Sequence, residues 1–272
     1  MGETLDDIDF LARSDHRVGV LETLAERPCD RGDLRAATGA SSPTMGRILT
    51  DFQDRHWIER DGRTYRLTEL GEFVADRFGT FVDAMALEGR LREVWPWLPH
   101  EVEGFSIDLF TDAVVSVPGP GYPYQPVERL TDLLAETTTM YGFGMAMLKS
   151  SNLDPFFDRA LDDLVCEYIY PPAVFEELLS WDGETVVEAT TRPNYTVLLH
   201  DDLPVDERCG ICLFDDRVSI CCFDHETGTL RSLVDTGSDE MHGWAASYYE
   251  RFRAEASPLE AADDLLSVES FP

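Results

Sequence analysis

Four cysteines lie close together near the carboxyl end of this 272-residue chain: Cys209, Cys212, Cys221 and Cys222. Thiols grouped in this way can bind zinc, form a reversible disulfide or pack as small core residues. In an extended strand, adjacent residues and residues three apart point to opposite faces, so four such ligands would not converge on one ion. We therefore predict no metal site and no cofactor.

A cross-strand thiol pair suits this segment better than zinc. If Asp215-Asp216 form the turn of a hairpin, Cys209 faces Cys222; a turn one residue later pairs Cys212 with Cys221 instead. Either register brings two Cβ atoms to about 4.5–5.5 Å, slightly wider than in a relaxed disulfide, and a strained disulfide is easily reduced. Buried neutral thiols are inert, however, so plain packing stays open beside redox sensing.

Aromatic side chains indicate a second kind of site, a small-molecule pocket. Tyrosines fall in a proline-rich loop and at the ends of predicted strands, and one histidine follows a strand: Tyr124, Tyr141, Tyr168, Tyr170 and His200. Gly142 and Gly144 would let a ligand approach the backbone. Aromatic residues in strands are also ordinary core residues, so the pattern does not identify a ligand.

Residues 41–55, S-S-P-T-M-G-R-I-L-T-D-F-Q-D-R, predict a short helix. Ser41 or Ser42 can cap its N-terminus, and Pro43 suits its first turn. One apolar face recurs at helical spacing: Met45, Ile48, Leu49 and Phe52. The other faces are small and polar and carry one arginine, with Ser42, Thr44, Arg47 and Thr50. Such a surface fits the major groove of double-stranded DNA.

The neighbouring elements would hold this helix in place. Three predicted helices precede it, over Asp6–Arg13, Asp15–Arg27 and Asp30–Gly39, which makes a helix-turn-helix. Strands at Trp57–Arg60 and Thr64–Leu67 follow, with the tight-turn signal Asp61-Gly62 between them. The hairpin carries three arginines, Arg60, Arg63 and Arg66. A helix capped by Thr68 then runs to about Leu91.

The run W-I-E-R-D-G-R-T-Y-R-L-T-E-L-G-E-F-V resembles the wing and closing helix of the ArsR/MarR-like winged-helix regulators common in archaea. The resemblance spans roughly residues 6–78. It implies that Ser42, Thr44, Arg47 and Thr50 face the major groove, and that Arg60, Arg63 and Arg66 meet the DNA backbone or the minor groove. A winged helix used only for protein contacts is the alternative.

From residue 99 onward, strands alternate with helices and the chain ends in a meander. Helices are predicted near 127–136, 154–164 and 173–179, and a last one from 238 to about 256. Strands are predicted near 105–110, 113–117, 138–145, 165–170, 185–190 and 195–200, and the meander strands near 209–214, 218–223 and 230–234. The fold class is therefore α+β or α/β, with a mixed α/β sandwich.

The segments G-I-C-L-F-D-D-R-V, F-D-H-E-T-G-T-L-R-S-L-V-D-T and W-A-A-S-Y-Y-E-R-F-R-A-E-A resemble the effector domain of Fil-type methanogenesis regulators. TrmB-like archaeal regulators have a similar arrangement. The resemblance implies a transcription factor whose C-terminal domain senses a signal or mediates dimerisation. TrmB-type domains resemble the phospholipase D fold, whose chemistry needs a histidine with a lysine two residues later. The single lysine, Lys149, follows Met147 instead, so we predict no enzyme.

The charge of the chain is extreme, at −31, and only one of its 22 basic residues is lysine. This balance is typical of proteins in multimolar salt, where screening acts over about 3 Å at 1 M. Residues 1–80 hold 11 Arg against 16 Asp and Glu, the least anionic part, as expected of a part that approaches phosphates. The sequence shows no bilayer-spanning run and no signal peptide, so we predict a cytoplasmic protein without a membrane partner.

These features predict four segments: a winged helix-turn-helix domain over 1–80, a connector helix over 81–98, an α/β effector and dimerisation domain over 99–257, and an acidic flexible tail over 258–272. We predict a sequence-specific transcriptional regulator of a halophilic archaeon. It would bind double-stranded DNA as a homodimer and respond to a small-molecule effector or a redox signal. The alternatives are a protein-interaction adaptor and a cysteine-based redox-sensing regulator.

Overall fold

The computed structural model describes residues 2–144, 153–203, 209–224 and 229–259. The chain divides into two compact units, Met1–Glu88 and Gly89–Pro272. The predicted connector, residues 81–98, spans this boundary, and as a separate segment it stays a prediction. The predicted acidic tail lies outside the described residues from residue 260 onward.

The N-terminal unit consists of helices around a small antiparallel sheet. The helices are α1 (Gly2–Ala12), α2 (Asp15–Glu26), α3 (Arg31–Thr38), α4 (Ser42–Asp54) and most of α5 (Glu69–Leu91). The strands are β1 (Cys29–Asp30), β2 (Ile58–Asp61) and β3 (Thr64–Leu67), in the order β1-β3-β2. The predicted helices and hairpin are present, although α1 begins four residues earlier than predicted. Neither α5 nor any other described helix is long and apolar enough to cross a membrane.

The predicted apolar face of α4 forms much of the core of this unit. Its four residues are each at most 3% exposed: Met45, Ile48, Leu49 and Phe52. The Phe52 ring packs on Trp57, with ring centroids 5.5 Å apart. A Cβ atom at Gly71 would lie 1.9 Å from the Trp57 carbonyl oxygen, so glycine lets α5 start directly behind the hairpin. Helix α4 is therefore fixed by packing on its inner face, and its outer face is left to solvent.

The C-terminal unit is a mixed sheet with helices on both faces. Its strands are β4 (Val114–Ser116), β5 (Thr139–Gly144), β6 (Val165–Tyr170), β7 (Tyr195–Leu199), β8 (Cys209–Leu213), β9 (Val218–Phe223), β10 (Leu230–Thr236) and β11 (Ser257–Pro258). Its helices are α6 (Gln125–Glu136), α7 (Leu153–Asp162), α8 (Pro172–Thr190) and α9 (Asp239–Arg253), with 3₁₀ turns at Trp95–Trp97 and Ile107–Phe110. The strand order is β11-β7-β6-β5-β8-β9-β10-β4, and the predicted fold class is confirmed.

The sheet joins a parallel part to an antiparallel part. Strands β5, β6 and β7 are parallel, while β8, β9, β10 and β4 form an antiparallel meander. Residues of α6, α7 and α8 share one core cluster with one face of the sheet. Helix α9 lies on the other face, where the rings of Tyr248 and Phe252 contact Phe143 of β5. Both faces of the parallel part are thus covered, as such strands require.

Two predicted strands are wrong. Residues 185–190 form the second half of α8, after a break at Asp182 (φ −150°, ψ 77°) whose carboxylate accepts a hydrogen bond from the Thr185 N–H at 3.2 Å. Val186 and Ala189 are both fully buried at helical spacing, and this burial outweighs the strand propensity of the β-branched run. The stretch 105–110 ends in a 3₁₀ turn capped by the Ser106 hydroxyl.

A buried ion cluster joins three parts of the C-terminal unit. Asp235 on β10 has a fully buried side chain, and Arg129 of α6 donates two hydrogen bonds to it, at 2.9 and 2.7 Å. Arg217, in the turn between β8 and β9, donates to the same carboxylate at 2.5 Å. One carboxylate therefore compensates two arginines and fixes α6 and the hairpin against β10.

Candidate nucleic-acid interface

Helix α4 begins at a well-defined cap. The Ser41 hydroxyl oxygen accepts a hydrogen bond from the Thr44 N–H at 3.3 Å, and Pro43 lies in the first turn. Before it, Gly39 has a φ of 69°, in the left-handed region that ends α3 and turns the chain towards α4. Ser41 is therefore the cap. Ser42 is the first helical residue, exposed at the positive end of the helix dipole.

The residues predicted to face the major groove differ in their exposure and in the hydrogen bonds that their side chains make. Thr44 is half-buried, and its hydroxyl hydrogen-bonds that of Ser41 at 2.8 Å. Thr50 is exposed, and its hydroxyl donates to the Gly46 carbonyl at 3.0 Å. Arg47 is exposed and makes no hydrogen bond or ion pair with any residue that the structure describes. Its guanidinium is therefore available for a base edge or a phosphate.

Arg31 is a basic residue at this surface that the sequence analysis missed. It lies at the start of α3, yet its guanidinium donates to the Ser42 carbonyl at 2.5 Å and to the Ser42 hydroxyl at 3.2 Å. A Cβ atom at Gly46 would lie 3.0 Å from Arg31 Nη2, so the glycine gives the guanidinium room over α4. Gly46 is the feature of the sequence that could have indicated this position of Arg31. Arg31 adds a second positive group at the first turns of α4.

The hairpin places its three arginines in different settings. Arg60 donates to the Gly62 carbonyl at 2.8 Å, at the tip of the hairpin. Arg66 pairs with Glu59 on the facing strand at 2.6 Å, and both side chains are more than half exposed. Arg63 is exposed at the tip, without a hydrogen bond or ion pair to the described residues. Arg63 is therefore the wing arginine best placed to meet a phosphate.

The charge along α4 is distributed unevenly. No Asp or Glu occurs between residues 41 and 50, and Asp51 and Asp54 lie in the last turns of the helix. The exposed part of its first half therefore carries positive charge alone, from the helix N-terminus, Arg31 and Arg47. The chain as a whole has a net charge of −31, so this positive surface is a local feature of α4.

The cysteines occupy two faces of the β8–β9 hairpin. The register pairs Cys209 with Cys222, with the sulfur atoms 3.8 Å apart. Cys212 lies opposite Ser219, and Cys221 lies opposite Gly210. Cys212 and Cys221 belong to the core cluster on the other face, and their mutual contact and burial raise the pKa of Cys212. A single four-thiol site does not form, because the two pairs point in opposite directions.

The five residues predicted to line a pocket do not come together. Tyr170 is buried and Tyr168 is partly buried on the helix α6–α8 side of the sheet, with ring centroids 4.4 Å apart. Tyr141 lies on the opposite side, beside Tyr249 of α9. Tyr124 is 67% exposed at the start of α6. His200 packs on Phe252 of α9, and its Nδ1 accepts a hydrogen bond from the Asp202 N–H.

Tyr141 does line a cavity of about 780 Å³ between α9 and the sheet. Glu167 lines this cavity and accepts hydrogen bonds from Tyr249 at 2.6 Å and from Arg253 at 2.5 Å. Burial opposes ionisation, but these two donors lower the pKa of Glu167. The cavity is therefore lined by an ion pair between Glu167 and Arg253 together with aromatic walls, and of the five predicted residues it includes Tyr141 alone.

Both units match known protein families. Residues 5–90 match the family of the HVO_A0261 N-terminal domain, and residues 123–255 match the middle domain of the methanogenesis regulatory protein FilR1. The chain joins an N-terminal domain of the HVO_A0261 family to a middle domain of the family of the regulator FilR1. The predicted resemblance is thus confirmed for both units of the regulator. No curated protein matches the regulator.

Three solved structures match the regulator at low similarity. TrmBL2, an archaeal chromatin protein, is 12% identical, with 93% of this chain and 98% of that chain covered and a TM-score of 0.39. NucT from Helicobacter pylori is 14% identical, with coverage of 54% and 98% and a TM-score of 0.40. The phospholipase D family member Nuc from Salmonella typhimurium is 6% identical, with coverage of 54% and 97% and a TM-score of 0.40.

Proposed function

We propose that the regulator is a sequence-specific DNA-binding transcription factor and not an enzyme. The observation that carries this proposal is the outer face of α4, where Arg47 is exposed beside Thr50 on a half-helix without carboxylates. Arginine is the side chain that most often reads guanine in the major groove, through two parallel hydrogen bonds. Threonine can contact a thymine methyl group or a base edge.

The remaining candidates would position the protein on the duplex. Ser42 and Thr44 lie at the helix N-terminus, where N–H groups and the helix dipole attract phosphate. Arg60, Arg63 and Arg66 would meet the backbone or the minor groove beside the recognition helix. The pairing of Arg66 with Glu59 makes Arg66 the weakest of the three, because its charge is partly compensated.

A genome-wide occupancy measurement tests this proposal directly. The tagged regulator would be crosslinked to DNA in its own host at native salt, and bound fragments would share a sequence that shifts in a mobility assay with purified protein. Binding to other proteins without enriched DNA would support the adaptor alternative instead. We also propose that the regulator acts in the cytoplasm of a salt-loving host. There, a net charge of −31 is a general adaptation to salt and does not prevent DNA binding.

Arg31 should contribute to affinity but not to specificity. Its guanidinium lies beside the first turn of α4, where backbone phosphates would pass. We expect Arg31→Ala to weaken binding to specific and unrelated DNA by the same factor, and to lower the slope of log K against log salt by about 1. Fluorescence anisotropy over a salt series measures both effects. A loss confined to the specific site would instead make Arg31 a base reader.

We propose a homodimer, because half-sites about one helical turn apart double the contacts with DNA. Helix α5 offers a surface for it. Four large apolar side chains are at least half exposed on one side of this helix: Leu70, Phe73, Phe81 and Met85. At 100° per residue they fall within one stripe about 120° wide, which is the pattern of a helix that packs against another helix. A second copy would bury this stripe.

We expect Phe73→Glu to weaken the dimer about 30-fold, which corresponds to about 2 kcal/mol for a buried aromatic residue at an interface. Sedimentation velocity over a concentration series measures the change. Ala86→Glu is the matched control, because Ala86 is exposed on the opposite side of α5 and receives the same charge. Equal effects of the two variants would remove the stripe from the interface.

We also propose that the C-terminal unit receives a small-molecule signal in the cavity beneath α9. The Glu167–Arg253 ion pair, Tyr249 and Tyr141 would favour a polar ligand that forms hydrogen bonds and has an apolar body. Binding there would change the equilibrium between two dimer geometries that differ in the spacing of their recognition helices. A screen by thermal shift, repeated with Glu167→Gln, tests this role.

A further inference from the structure

The thiol pair between β8 and β9 has a geometry that DNA binding does not require. Cys209 and Cys222 are direct partners in the antiparallel ladder. The Phe214 N–H bonds the Arg217 carbonyl at the turn, and hydrogen-bonded pairs alternate along such a ladder. The cysteines therefore form a non-hydrogen-bonded pair, for which Cα atoms are about 4.5 Å apart. This is near the short end of the range of about 4.4–6.8 Å found for disulfides.

The Trp97 carbonyl keeps the two sulfurs on the same side of the hairpin. It accepts a hydrogen bond from the Cys209 thiol at 2.6 Å and one from the Cys222 thiol at 3.4 Å. The sulfurs are 3.8 Å apart, so a bond of about 2.05 Å needs side-chain rotation and no new strand register. The short Cα separation adds strain, and a strained disulfide is readily reduced.

The two thiols differ in their access to solvent. Cys209 is partly exposed, whereas Cys222 is fully buried. Contact with the Cys209 sulfur lowers the pKa of Cys222, although burial opposes this effect. An oxidant would thus reach Cys209 first, while Cys222 has the ease of deprotonation that a resolving thiol needs. Cys212 and Cys221 lie in the core on the other face and lack this access.

We propose that Cys209 and Cys222 form a reversible disulfide, with a hydroperoxide as the oxidant. The Cys209 thiolate attacks the O–O bond of hydrogen peroxide and becomes a sulfenic acid, and one water leaves after taking up a proton. The Cys222 thiolate then attacks the Cys209 sulfur, which forms the S–S bond and releases a second water. In total, two thiols give two electrons and two protons to one peroxide. A dithiol reductant reverses the step by thiol–disulfide exchange.

Peptide mapping of the full-length folded protein tests this site. After brief peroxide treatment and alkylation, trypsin should release one species in which residues 209–217 are linked to residues 218–231, and dithiothreitol should separate the two peptides. Cys212→Ser and Cys221→Ser should keep the link, while Cys209→Ser and Cys222→Ser should abolish it. Circular dichroism identifies any variant that fails to fold, and alkylation of the untreated wild type gives an independent readout, in which Cys209 reacts before Cys212.

Three results would overturn the disulfide. The first is a link that survives in folded Cys209→Ser, because it would join Cys212 to Cys221. The second is a wild-type protein in which peroxide oxidises Cys209 to sulfinic acid without any link. The third is complete inertness of Cys209 to both alkylation and peroxide. The reaction concerns the C-terminal unit, so loss of DNA binding would not affect any of these readouts.

Discussion

Replacing Arg47 with alanine is expected to reduce the preference of the regulator for its specific DNA site and to leave its fold intact. Arg47 is exposed, is unpaired among the described residues and extends from a helix whose core face lies on the other side. A bidentate contact from arginine to guanine gives about 1–3 kcal/mol of discrimination, so affinity for the specific site should fall about 10- to 100-fold. Affinity for unrelated DNA should fall only by the contribution of one arginine–phosphate contact.

The control for this prediction is Arg13→Ala. Arg13 directly follows α1, has a side chain 76% exposed and pairs with Asp9, so the variant makes the same change in net charge at a residue outside α4. Anisotropy titrations with specific and scrambled duplexes at native salt would compare the two variants. If Arg47→Ala and Arg13→Ala bound the specific duplex equally well, Arg47 would not be a base-reading residue and α4 would not be the recognition helix.

The N-terminal unit could be predicted well because its signals are local. Met45, Ile48, Leu49 and Phe52 recur at helical spacing, and Asp61-Gly62 marks the hairpin within a few residues. The C-terminal unit depends more on distant contacts. Residues 185–190 have strand-forming side chains but fold as a helix, because the crossover between the parallel strands β6 and β7 buries Val186 and Ala189. That competition cannot be read from a window of six residues.

In the candidate DNA-binding surface, too, local features could be predicted from the sequence and features that depend on distant contacts could not. The exposure of Arg47 and Thr50 follows from helical periodicity alone, but the position of Arg31 depends on how α3 packs beside α4. The ion pair between Glu59 and Arg66 follows once the turn is known to be Gly62-Arg63, one residue later than the sequence signal suggests.

The dispersal of the pocket tyrosines has a similar cause. Parallel strands β5 and β6 place Gly142 opposite Tyr168 and Tyr141 opposite Glu167, so the two tyrosines point to different faces of the sheet. A β-strand reveals from sequence which of its own residues share a face, but not how that face aligns with the neighbouring strand. The cysteine register could be narrowed to two possibilities from the sequence, because a short hairpin fixes it. The structure has the Asp215-Asp216 turn, which pairs Cys209 with Cys222.

The largest effect on stability is expected from Asp235→Asn. The substitution keeps the shape of the side chain but removes the one negative charge that Arg129 and Arg217 share. Both arginines are about three-quarters buried, and breaking a buried ion pair by removing one partner costs about 3–5 kcal/mol. We expect the C-terminal unit to lose about 3 kcal/mol, or about 6–12 °C in Tm for a unit of this size. Because the cluster is buried, multimolar salt should not remove the effect.

Asp163→Asn is the matched control for Asp235→Asn. Asp163 is 67% exposed and also pairs with an arginine, Arg159, but that arginine keeps hydrogen bonds to the carbonyls of Leu134 and Thr137 when the carboxylate is lost. This control should change stability by no more than about 0.5 kcal/mol. Denaturant titrations would show whether the two variants differ. A double variant, Asp235→Asn with Arg129→Gln, should be destabilised by less than the sum of its single substitutions, because the uncompensated charge is removed together with its partner.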